Sequence, residues 1–141
     1  GLGDVYKRQP LAARICLCII FINSGIGKIL GFAGTAGMMG NKGLPIPEVL
    51  LTFTIAFQLL GGFSLLLGYK VKIGSLLLIL FLIPATLVFH NPIGNPDELN
   101  SFLKNIGLIG GLLMTIYAGA GALSIDDSTE KTSHRQVMSN E

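Results

Sequence analysis

Charge is scarce in this sequence: 13% of its 141 residues are Asp, Glu, Lys or Arg, half are hydrophobic, and the mean hydropathy is +0.66. That balance argues against an ordinary soluble domain and makes a lipid bilayer the expected solvent and partner. A net charge of +2, scattered along the chain, gives no footing for a nucleic-acid partner. Cysteine is limited to Cys16 and Cys18. Two residues apart on a helix, these thiols point to different faces and are not expected to pair with each other. No phosphate-binding Walker loop, dinucleotide-binding glycine loop, haem-attachment sequence or nucleophile elbow occurs, so the many glycines belong to helices and loops.

Long apolar runs are what the sequence does have. Residues 49–68 carry no charge, and after Tyr69-Lys70-Val71-Lys72 neither do residues 73–89. Roughly 20 apolar residues span a bilayer as a helix that satisfies its own backbone. Two such runs joined by so short a turn form an antiparallel hairpin. A first span covers about residues 11–30, with Arg14 and Lys28 expected to snorkel to opposite interfaces, and a last one covers about residues 105–123. The fold class is an all-α membrane protein, a four-transmembrane-helix bundle.

Lys and Arg counts in the flanks set orientation. Lys7, Arg8, Arg14, Lys70, Lys72, Lys131 and Arg135 fall on one side, against Lys28, Lys42 and Lys104 on the other. The excess predicts both termini in the cytoplasm. His90 and His134 then lie on opposite sides, so no structural zinc site is expected. Residues 1–9 look foreign to the rest and are expected to be a non-native or disordered segment; residues 10–125 form the membrane domain, and residues 126–141 are expected to be a disordered cytoplasmic tail. The glycine-rich stretch 31–47, too long for a tight turn and too apolar for a linker, predicts a short interfacial or re-entrant helix between spans one and two, ending near Gly43.

Polar groups within spans mark helix contacts or cavities, because lipid offers them no water. Thr54, Gln58 and Gly62 share one face of the second span. Gly107, Gly111, Thr115 and Gly119 form a packing stripe on the fourth. Pro84 is expected to kink the third span and free a carbonyl. At the external rim, Asn23, Ser24 and Lys28, then Thr86 and His90, then Asp97, Glu98, Lys104 and Asn105, would compose one polar cap. Read blandly, these residues only hold helices together; read functionally, they line a ligand site.

The pattern R-x9-S-G-I-x-K-x2-G-F-x2-T-A over residues 14–36, followed by G-L-P-I-P at 43–47, resembles the start of DoxX family proteins. Gln58 with Gly61-Gly62, Phe89-His90, and Phe102-Leu103-Lys104-Asn105 leading into Gly110-Gly111 continue the resemblance in order, to about residue 126. It implies a small four-helix protein of the bacterial inner membrane with a link to membrane redox chemistry, since some relatives are associated with quinone-linked thiosulfate oxidation and others with thiol and oxidative-stress complexes. Arg14, Ser24, Gly25, Lys28, Gln58, His90, Lys104 and Asn105 occupy matching positions, with Gln58 where many relatives have Glu.

Two functional expectations follow. In the first the chain is an accessory, redox-associated subunit that binds a quinone-like or other apolar molecule near the outer face, at a site drawn from Arg14, Ser24, Lys28, Gln58, His90, Lys104 and Asn105, beside an oxidoreductase partner. In the second it is a non-enzymatic scaffold, lipid-interacting protein or small-solute carrier. The glycine faces leave a homo-oligomer open.

Overall fold

Every apolar run is a helix, the one conformation in which a single segment satisfies its own backbone in lipid. In a computed structural model describing residues 2–140, the spans are α1 (Leu2–Leu30), α3 (Pro47–Leu67), α4 (Val71–Phe89) and α5 (Leu99–Ala118), the last entered through a 3-10 turn, Pro96–Glu98. All four are long and apolar enough to cross a membrane, and no strand occurs among the described residues. Their sequential neighbours pack side by side: α1 on α3, α3 on α4, α4 on α5. The core joins Cys18 and Phe21 of α1 to Leu65 of α3, Val71, Leu78 and Leu82 of α4, and Leu112 of α5. Leu60, Phe63, Leu76, Ile83 and Leu113 face outward, where lipid replaces water.

The bundle has two unlike ends. The terminal end carries the start of α1, the α3–α4 turn and the segment after α5; the distal end carries the α1–α3 connection and the loop before α5. Glycines bring α3 and α4 together toward the terminal end, because a Cβ on Gly61 would strike Leu78 and one on Gly74 would strike Ser64. The stripe on α5 is less uniform than its spacing suggests. Gly111 faces Leu17 of α1, whereas a Cβ on Gly107 would meet nothing within 4 Å, and Gly119, at φ +79, ends the helix.

The predicted short helix is present at the distal end as α2 (Phe32–Asn41). Gly43, at φ +82, closes it: the Gly43 amide donates to the Gly40 carbonyl at 3.0 Å and Leu44 to Met39 at 3.3 Å, the paired bonds of a Schellman cap.

Both chain ends are helical. Apart from Gly1 and Glu141, which lie outside the described residues, residues 2–9 continue α1 as helix through Pro10. The tail is also a helix, α6 (Ile125–Ser139), where disorder was expected. Its start is locally encoded: the Ser124 side chain accepts from the Asp127 amide at 3.1 Å, and Asp126 and Asp127 sit in the first turn where the helix dipole favours them. Asp126 also ties it to the bundle, accepting from the amides of Lys70 (2.7 Å) and Val71 (3.1 Å) at the start of α4. Pro84 sits within an α4 that runs unbroken from Val71 to Phe89.

Candidate functional site

Arg14 and Lys28, the two charges in the apolar stretch of α1, were expected to reach for opposite interfaces; both instead turn into the bundle. Arg14 is 2% exposed at the terminal end, its Nη1 donating to the carbonyls of Leu65 (2.9 Å) and Leu66 (3.5 Å) and its Nη2 to that of Leu123. Leu65 and Leu66 lie in the last turn of α3 and Leu123 in the segment after α5, so these are carbonyls outside any helical ladder that lipid would leave unsatisfied. Gly68, in the left-handed conformation that caps α3, has no Cβ and so leaves room for the guanidinium and for Ser124. Arg14 is therefore a clasp at the terminal end, away from Lys28.

Lys28 folds back along α1 toward Ser24, one turn earlier. Its Nζ donates to Ser24 Oγ at 2.6 Å and lies 5.8 Å from the centre of the Phe81 ring on α4. Gln58 Nε2 of α3 reaches the same Ser24 oxygen at 3.1 Å. Gln58 is 2% exposed, and its Oε1 has no partner in the protein. Whichever way the amide is turned, Ser24 matches one of its ends and leaves the other over.

Around this cluster, in the distal half, lies a cavity of about 690 Å³. Six of the seven polar residues singled out from sequence line it: Ser24, Lys28, Gln58, His90, Lys104 and Asn105. Arg14 does not. The helices divide their labour here. α2 roofs the space with Met38 and Met39, α3 contributes Phe53 and Phe57, and α4 contributes Phe81 and Phe89. The aromatic part of that wall has no signature in the sequence, where apolar residues in a span look alike whether they face lipid or a ligand.

The α4–α5 seam carries two further contacts. Asn105 Nδ2 donates to Thr86 Oγ1 at 3.0 Å, both residues being buried, and His90 Nδ1 lies 2.7 Å from Glu98 Oε2. The expected rim cap thus resolves into separate pairs: Thr86 and His90, one turn apart on α4, have different partners. Lys42 of the α2 end stands over Phe89, 5.4 Å from the ring centre. No group of three His, Cys, Asp or Glu side chains that could hold a metal occurs among the described residues. A mostly apolar, aromatic-walled space with a few convergent polar groups is the usual form of a small-molecule site.

The DoxX family profile matches residues 9–91, which include Ser24, Lys28, Gln58 and His90. The chain belongs to the DoxX family. Among relatives, the inner membrane protein YqjF of Escherichia coli (strain K12) is 34% identical over 116 residues, covering 82% of this chain and 88% of that protein. The inner membrane protein YphA of the same organism is 28% identical over 123 residues, covering 82% and 86%. A shorter likeness, 34% over 80 residues, links 53% of the chain to 26% of the ER-derived vesicles protein ERV29 of Saccharomyces cerevisiae. No solved structure matches. With its four spanning helices, this DoxX protein is a multi-pass integral protein of the inner membrane.

Proposed function

We propose that this DoxX protein is a redox-associated membrane subunit whose distal cavity binds a quinone-like or other apolar small molecule, with a partner oxidoreductase supplying the redox centre. One observation carries the reading: a cavity of about 690 Å³ lined by five Phe and two Met side chains together with the Ser24–Lys28–Gln58 cluster. A quinone-type group suits that wall. Its ring would lie against aromatic faces, and its carbonyl oxygens, which accept hydrogen bonds, would find Lys28, an ammonium with three donors of which Ser24 engages one. When bound, such a group would supply the electron-accepting chemistry; the chain's own residues hold and orient it and keep water away. The association of DoxX relatives with quinone-linked oxidation supports the redox half of the reading.

The Lys and Arg bias favours a topology with both termini in the cytoplasm and the cavity toward the outer face. Reporter fusions after Lys70 and at the tail should give cytoplasmic signals; external signals from both would reverse the topology.

A second reading, a scaffold or solute carrier without redox partners, draws on the same polar groups, since Gln58 to Ser24 joins α3 to α1 and Asn105 to Thr86 joins α5 to α4. Purification in mild detergent, with mass spectrometry of copurifying quinones and proteins, separates the two. The redox reading expects a quinone-class molecule and an oxidoreductase, both lost on alanine substitution of Lys28 and Gln58 with the fold retained. Alanine variants that only weaken folding favour the scaffold.

A further inference from the structure

We infer that the molecule held in the distal cavity carries an anionic head group on a single apolar chain or ring. The inference rests on the reading of this cavity as a ligand site and, between the neutral quinone-like and the other apolar molecules which that reading admits, selects the latter by charge.

The argument begins with the depth of Lys28. Its ammonium is bonded to Ser24 and faces Phe81, and Gln58 shares the same hydroxyl. Gln58 and Phe81 stand near the middle of α3 and α4, so the side chain has turned away from the interface it would reach by snorkelling. A cation at that depth is costly unless paired or hydrated. Here its protein partners are a neutral hydroxyl and a ring face, and among the described residues no carboxylate lies in ion-pair range.

The rest of the wall has the same sign. Lys42 and Lys104 line the cavity too, while its one carboxylate, Glu98, is engaged by His90 at 2.7 Å. An anion entering from the distal side is drawn in by this field and, once seated, neutralises Lys28 where little else does. A neutral carbonyl would accept a hydrogen bond and leave the charge uncompensated. Size favours one chain or ring over a two-chain phospholipid: about 690 Å³ lies inside the ~300–1,000 Å³ typical of small-ligand pockets. The Gln58 amide serves an anion when turned, its Oε1 accepting from the Ser24 hydroxyl and its Nε2 left free to donate.

The test is competition binding to the intact protein in mild non-ionic detergent, with three probes: dodecanoate, dodecanol, and a neutral short-chain ubiquinone analogue. Dodecanoate should bind about tenfold more tightly than dodecanol. Lys28→Met should abolish that preference by weakening the acid far more than the alcohol, and Lys28→Arg should retain it. The second substitution keeps the test valid if the first impairs folding. Equal binding of acid and alcohol, or a neutral quinone that outcompetes dodecanoate, would overturn the charge inference and leave the ligand site standing. Binding of none of the three would overturn both.

Discussion

The two ends of the bundle treat buried charge in opposite ways. At the terminal end, Arg14 spends its guanidinium on three backbone carbonyls from α3 and the segment after α5, and only its Nε lacks a partner. Gly68 leaves room for it beside Ser124, and Gly61 and Gly74 let α3 and α4 pack closely. At the distal end, Lys28 meets one hydroxyl and a ring face, Gln58 keeps an unmatched atom, and the helices stand apart around a cavity. A basic side chain in a span is thus either a structural clasp or an available binding group. What distinguishes the two is whether backbone acceptors reach it.

Substitutions should separate the ends by their cost. Arg14→Met should have the largest effect, a loss of about 3 kcal/mol, because it strands buried carbonyls in an apolar medium; unfolding in mixed detergent micelles measures it, and a loss as small as that of a surface change would deny the clasp. Gly61→Ala comes next, at about 1–3 kcal/mol, from a methyl group forced against Leu78 and the Gly74 carbonyl. Asp126→Ala, which removes the acceptor for two amides at the start of α4, should cost about 1 kcal/mol and speed proteolysis of α6. Gln58→Leu at the distal end should fall within about 0.5 kcal/mol of the parent, since it removes an unmatched polar atom along with one hydrogen bond, yet should reduce ligand retention. If Gln58→Leu destabilised the bundle as much as Arg14→Met, the contrast between the ends would collapse.

Much of this was legible in the sequence. Four spans follow from charge-free runs, and polar residues in such runs are rare enough that Ser24, Lys28, Gln58, His90, Lys104 and Asn105 stood out before any fold was known. The clasp was not legible, because the partners of Arg14 are backbone carbonyls 51 to 109 residues away, which leave no side-chain signature. The same holds for α6: its polar composition reads as a loose tail, and the bonds from Asp126 to α4 cross more than fifty positions. The inward turn of Lys28 is a rotamer choice, set by where Ser24 and Phe81 happen to lie. Resemblance to the DoxX family supplied the redox context, which neither composition nor periodicity contains.

The central claim, that the distal cavity is a ligand site, is tested most directly by filling it. Ala85 lines the cavity from α4, and Ala85→Phe adds a ring there while leaving the Arg14 clasp untouched. Mass spectrometry of the intact protein, purified in mild detergent, should show an apolar small molecule bound to the parent and missing from the variant. A parent that carries none, or a variant that carries as much, would contradict the account.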